Sequence, residues 1–209
     1  MAWIIRQYVT PDGHRPFGEW LNRLPVHAQA RIAARIARFE TGNLGDHKSV
    51  GGGVWEARLT YGPGYRLYFG QHQQQIILLL VGGTKASQTK DIRRAHGIGA
   101  TMWRLLMTRR SEDWNIDLAE RLRNRAFARA FLLAAVDEGL TVQQALAKVI
   151  RAIGITEFAT QVRMARPNVQ RAIHPRHNPT QETLNRLLAP FRLRLSLAPI
   201  SALRRSRAA

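Results

Sequence analysis

Residues 54–81 carry three strand-length runs in quick succession, 54–61, 65–70 and 75–81, and these most limit what the chain can become. Strands joined by turns of a few residues pair antiparallel, because a parallel return needs a crossover of a dozen residues or more. Gly62-Pro63-Gly64 is a tight hairpin signal between the first two runs. Gly82-Gly83 reads as the end of the third. Upstream, residues 3–10 alternate loosely and read as an edge strand, Pro11-Asp12-Gly13 as a turn and 17–24 as a short helix. Residues 26–39 read as a strong helix with Arg31, Arg35 and Arg38 on one face. Residues 41–53 read as a loop, and 85–96 as a loop running into a short helix. The expected fold of this part is a small α+β unit with an antiparallel sheet.

The pattern changes after residue 97. Residues 98–112 read as a linker, with Met102 and Met107 as relics of a separate start, and from Asn115 the spacing is helical. Helices are expected over 116–123, 125–138 and 141–153, with Thr141 and Gln144 forming a capping box. Thr156 is expected to cap a further helix, Pro167 and Pro179 to open two more, and 191–197 to alternate as a strand. The domain reading is therefore 1–97, linker 98–112 and an all-α part over 113–209.

Charge narrows the partners. The chain has 209 residues, 32 basic and 14 acidic, for a net charge of +18. The excess is spread over both parts: 13 basic against 6 acidic residues up to position 100, and 19 against 8 beyond it. A polyanion such as nucleic acid is the natural partner, with a basic soluble protein lacking one as the plain alternative. No apolar run reaches the roughly 20 residues of a membrane span, and residues 1–10 show no signal-peptide pattern. Cysteine is absent, which excludes disulfides and suits a reducing cytoplasm. No metal or cofactor site is expected.

Alternation in 54–59 and 65–69 places Glu56, Arg58, Arg66 and Tyr68 on the sheet face opposite the apolar one. Lys85, Gln88 and Lys90 follow the third strand. Guanidinium groups clamp phosphate and offset charge developing on a phosphorane-like transition state, and tyrosine stacks on an unpaired base. RNA carries its own nucleophile, the 2′-hydroxyl, so no metal is needed. The plain alternative is a solvated face that keeps the sheet soluble.

The stretch VWEARLTYGPGYRLYFG, followed by IILLLVGGTKASQTKDIRRA, resembles the core of HigB-like toxins in the RelE/ParE superfamily. The resemblance implies an mRNA endonuclease acting at the ribosome, with Arg58, Arg66, Lys85 and Lys90 as catalytic positions and Tyr68 and Gln88 as RNA contacts. His96 lies near the place of a general acid, and a surface histidine is the alternative. The ParE branch shares the fold and poisons DNA gyrase, a further alternative.

In TEFATQVRMARPNVQRAIHP (156–175), Phe158, Ala159, Val162, Met164, Val169 and Ala172 are apolar where two helices cross at a tight turn. Arg166, Asn168, Gln170 and Arg171 then fall on the outer face of the second helix, residue types suited to base edges and phosphates. Arg163 stands at the turn where glycine is usual. An ordinary pair of core helices is the alternative. Residues 113–198 resemble the Cro/repressor-like helix-turn-helix antitoxins that accompany HigB-like toxins. That implies binding of the toxin part, within or between chains, and repression of operator DNA as a homodimer. The expectation is a toxin–antitoxin fusion, whose tether supplies an effective concentration of about millimolar. Glu112, Asp113, Asp117 and Glu120 are the acids expected to pair with toxin arginines. The alternative is a DNA-binding regulator with a catalytically inactive toxin-like part.

Overall fold

The computed structural model describes residues 3–73, 75–99 and 111–197, which form an α+β structure with six strands and nine α-helices. In chain order they are β1 (Ile4–Tyr8), α1 (Pro16–Asn22), α2 (Val26–Glu40), β2 (His47–Gly51), β3 (Val54–Leu59), β4 (Tyr65–His72), β5 (Ile76–Thr84) and α3 (Gln88–Gly99). After residue 110 come β6 (Ser111–Asp113), α4 (Trp114–Leu122), α5 (Arg125–Asp137), α6 (Val142–Ile153), α7 (Ile155–Gln161), α8 (Arg166–Ala172) and α9 (Gln181–Leu188). Most of the expected linker, with Met102 and Met107, lies outside the described residues.

The sheet runs β2-β3-β4-β5-β1-β6. Among the described residues, only the β1–β5 pair is parallel. The hairpin forms as its turn dictates: Gly62 and Gly64 take φ of +55° and +74°, and Arg58 stands directly opposite Arg66. One sheet face is apolar (Ile5, Leu59, Leu67, Phe69, Ile77, Leu79) and packs on α1 and α2. Alanines in both α2 and α5 (Ala30, Ala33, Ala37; Ala128, Ala134, Ala135) let these two helices pack closely, and the core continues through them into Trp114, Phe131 and Phe158. Trp114, fully buried, meets Phe17 edge-on at 5.8 Å.

Several expectations are corrected. β1 is not an edge strand, because β6 pairs with it antiparallel through Tyr8 and Ser111. β6 escapes a sequence reading because Ser-Glu-Asp has no apolar alternation. The expected loop at 41–53 contains β2, a polar strand at the open sheet edge, where exposed lysine and glycine deter further pairing. Gly82 and Gly83 continue β5 rather than end it. A Cβ at Gly82 would lie 2.0 Å from the Trp20 ring, and one at Gly83 1.9 Å from the Asp91 carboxylate, so each glycine admits a neighbour. The second sheet face is not left bare: Ala95, Ile92 and Ile98 of α3 cover Tyr8, Val54, Tyr68, Leu78 and Leu80.

Beyond residue 113, the Thr141–Gln144 capping box forms and Pro167 sits in the first turn of α8. Thr156 is not a cap, because Gly154, at φ +107°, caps α7 two residues earlier. Pro179 precedes the cap Thr180, whose hydroxyl accepts from the Thr183 N–H. Residues 193–197 form no strand; Arg192 turns left-handed at φ +55°, and the Leu195 N–H donates to the Asn185 side chain.

Candidate functional site

Two of the expected cations, Arg58 and Arg66, converge, but around a carboxylate. Glu56 in β3 is fully buried. Arg58 Nε donates to it at 3.0 Å, Gln88 Nε2 at 2.8 Å and the Tyr68 hydroxyl at 3.1 Å. Arg66 Nε stands 3.5 Å away, a charge contact too long for a good hydrogen bond. The register explains the cluster: Glu56 faces Tyr68 and Arg58 faces Arg66 across one hairpin, while Gln88 enters from the first turn of α3. Burial alone raises the Glu56 carboxyl. The donors from Arg58, Gln88 and Tyr68, with the Arg66 charge, together outweigh burial and leave it below the ordinary glutamate value. Burial, then the Glu56 charge, pushes the Tyr68 hydroxyl well above the usual tyrosine range.

Arg66 keeps spare capacity. Its side chain is 11% exposed, Nη1 reaches the Gly64 carbonyl at 3.4 Å, and the buried Nε has no hydrogen-bond partner. Lys85 lies alongside, its backbone N–H donating to the Gly64 carbonyl at 2.9 Å. Lys85 and Lys90 are exposed, and Arg58 is one-third exposed with Asp46 at 3.8 Å. The sheet corner thus offers Arg58, Arg66 and Lys85 beside one turn. Two residues are corrected. Tyr68 is fully buried under α3, so its ring is not presented for base stacking. His96 lies two turns beyond Gln88, about 12 Å along the helix, where Nε2 meets the Val50 carbonyl at 3.0 Å and the ring packs on Gly51 and Gly52. It pins α3 to the β2–β3 turn rather than joining the cations.

The second candidate surface is α8. Arg166, Asn168, Gln170 and Arg171 are all exposed while Val169 and Ala172 are buried, so the expected outer face exists. The turn before it accommodates Arg163 in the left-handed region, φ +52°. The Arg163 N–H donates to the Thr160 carbonyl and the Met164 N–H to the Ala159 carbonyl, which is the Schellman arrangement. Arg186 of α9 braces the same turn by donating to the Val162 and Arg163 carbonyls. Gln143 of α6 donates to the carbonyls of Ala172, His174 and His177, fixing the loop after α8.

Between the two parts runs a line of ion pairs. Arg15 meets Glu112 at 2.7 Å, as expected. Asp113 instead caps α4, Asp117 pairs with Arg121 of its own helix, and Glu120 is exposed. Arg121 in turn reaches Asn22 and Gln29. The main acids are two that sequence reasoning missed. Asp137 meets Arg31 at 2.9 Å; Glu138, 9% exposed, meets Arg35 at 2.5 Å and Arg38 at 3.4 Å. Lys148 and Glu40 add a pair of opposite sense at 2.7 Å.

Comparison with known proteins matches residues 112–199 to a family described as probable addiction module antidote protein. An uncharacterized protein of Haemophilus influenzae is 45% identical over 80 residues, 38% of this chain and 81% of that protein. No solved structure matches the chain. Among the described residues no helix is long and apolar enough to cross a membrane.

Proposed function

We propose, on the premise that the chain belongs through residues 112–199 to the probable addiction module antidote protein family, that it joins a toxin and its antidote in one polypeptide. The observation that carries this reading is the seam between the parts. An antidote-family segment supplies β6 to the sheet and sets Asp137 and Glu138 against three arginines of α2. In this reading residues 1–97 are the HigB-like toxin of the RelE/ParE superfamily and residues 113–209 the Cro/repressor-like antidote.

The chemistry assigned to the toxin part is metal-independent cleavage of mRNA on the ribosome. Arg58, Arg66 and Lys85 border one turn, and there they bind the phosphate and offset the charge that builds up as the 2′-hydroxyl attacks. Gln88 holds Glu56, and Lys90 extends the positive surface. The antidote part restrains this activity and binds operator DNA as a homodimer through Arg166, Asn168, Gln170 and Arg171 on α8. A second reading, a DNA-binding regulator whose toxin-like part is inert, is favoured by one observation: Glu56 already engages Arg58, Arg66, Tyr68 and Gln88.

Inducible expression of the full chain tests the reading. Glu138→Arg puts a third guanidinium against Arg35 and Arg38 and is expected to arrest growth with cut mRNA. The unmodified chain is expected to be harmless, and adding Arg66→Ala to abolish the arrest. A folded, harmless Glu138→Arg chain would leave the regulator reading.

A further inference from the structure

We infer that Arg31, Arg35 and Arg38 of α2 form a second RNA-backbone-binding surface, and that the acidic end of α5 occupies it in place of phosphates. The inference rests on the reading that the antidote part restrains the toxin part, and it identifies which cations are restrained.

The three arginines stand at i, i+4 and i+7, one stripe about 10 Å long. The helix itself does not require them. The one acid of α2, Glu40, is engaged by Lys148 instead, so the stripe has no intrahelical partner. Asp137 and Glu138 are equally unneeded by their own helix. They close the C-terminal end of α5, where the macrodipole disfavours negative charge. Glu138 nevertheless takes two guanidiniums at once, 2.5 Å and 3.4 Å away. A phosphate group binds guanidinium in the same manner. Arg31 also lies 5.0 Å over the Tyr61 ring, so the stripe stays ordered on its own side.

The sheet order supplies the second argument. β6 lies at the end of the sheet remote from the β3–β4 corner, and α5 packs on α2, behind the opposite face from Arg58 and Arg66. Among the described residues, the antidote part therefore packs away from the Arg58–Arg66–Lys85 corner. What it engages are Arg15, Arg31, Arg35 and Arg38. Arg35 Nη1 donates to the Arg58 carbonyl at 3.3 Å, so the stripe adjoins the corner from behind the sheet, and restraint acts on RNA anchoring beside the corner rather than on its cations.

The test is fluorescence anisotropy of the full chain with a labelled single-stranded RNA and, separately, a duplex DNA, across about 50–200 mM salt. Asp137→Asn with Glu138→Gln frees the stripe. RNA affinity is expected to rise and the salt slope to steepen by about 2, at 0.7 per freed arginine for single strands. Adding Arg31→Ala and Arg38→Ala is expected to remove about two-thirds of the gain, leaving the share of Arg35. A gain undiminished by loss of both arginines, no gain in a variant that still melts cooperatively, or a gain for duplex DNA alone overturns the proposal. Should the freed variant fail to fold, hydrogen exchange on the unmodified chain decides: saturating RNA is expected to speed exchange at the end of α5, and unchanged exchange overturns the surface. Growth arrest by Glu138→Arg with no gain in RNA binding overturns the stripe alone. A gain in RNA binding without arrest overturns the antidote reading alone.

Discussion

Replacing Glu56 by alanine isolates what holds the sheet corner together. The carboxylate is fully buried, and its loss leaves the buried Tyr68 hydroxyl without an acceptor and Arg66, 11% exposed, without its counter-charge. An orphaned buried hydroxyl costs about 1–3 kcal/mol. Breaking a buried ion pair from one side costs about 3–5 kcal/mol. The two share one carboxylate and do not add, so the expected loss is about 4 kcal/mol. At roughly 2–4 °C per kcal/mol for a chain of this size, the melting temperature falls by about 8–16 °C. Glu56→Gln keeps the volume and one acceptor, and its loss is about half as large. The carboxyl sits below its ordinary value, so its contribution is present above the unfolded value, about 4.3, and is lost as pH falls through the folded one. The gap between the unmodified chain and Glu56→Gln therefore narrows on acidification below about pH 4. Melts by circular dichroism from pH 7 to pH 3 measure both effects. A drop under about 3 °C for Glu56→Ala at pH 7, or a gap that widens in acid, would refute the hub.

Three further outcomes follow from named positions. Arg163→Gly relieves a left-handed residue at φ +52° and is expected to stabilise by about 0.5 kcal/mol, the strain relieved exceeding the chain entropy lost; a lower denaturant midpoint would show that the side chain makes a needed contact. Gly82→Ala drives a methyl into Trp20, 2.0 Å away, and is expected to cost about 1–3 kcal/mol with a shift in tryptophan fluorescence; an unchanged melt contradicts the packing. Arg171→Ala is expected to weaken binding to a mixed-sequence duplex and reduce its salt slope by about 0.9; an unchanged slope removes Arg171 from the contacts.

How much was legible depended on whether side-chain period or backbone pairing set the feature. The hairpin turn and the alternation of 54–59 and 65–69 place Arg58 opposite Arg66, and that register is present. The helical spacing of Phe158, Ala159, Val162, Val169 and Ala172 likewise predicts their burial and the exposure of Arg166, Asn168, Gln170 and Arg171. Alternation puts Glu56 on the basic face but assigns it no role, although a lone carboxylate there is a signal: one acid facing several cations seldom stays solvated. Asp137 and Glu138 carried a signal too, two acids at a helix end whose dipole opposes them. Ile92, Ala95 and Ile98, spaced by three, marked a face of α3 that had to be buried, and Tyr68 is what it buries. β2 and β6 were beyond reach, because their polar residues owe the strand conformation to their partners' backbones.

The central claim is that one part of the chain holds the other in check. It is tested most directly in a translation extract, by mapping mRNA ends after adding equal amounts of the unmodified chain and of the Glu138→Arg chain. The account predicts intact messages with the first and cleavage at discrete sites with the second, abolished by Arg66→Ala. Equal cutting by both chains, or intact messages with a correctly folded Glu138→Arg chain, would contradict it.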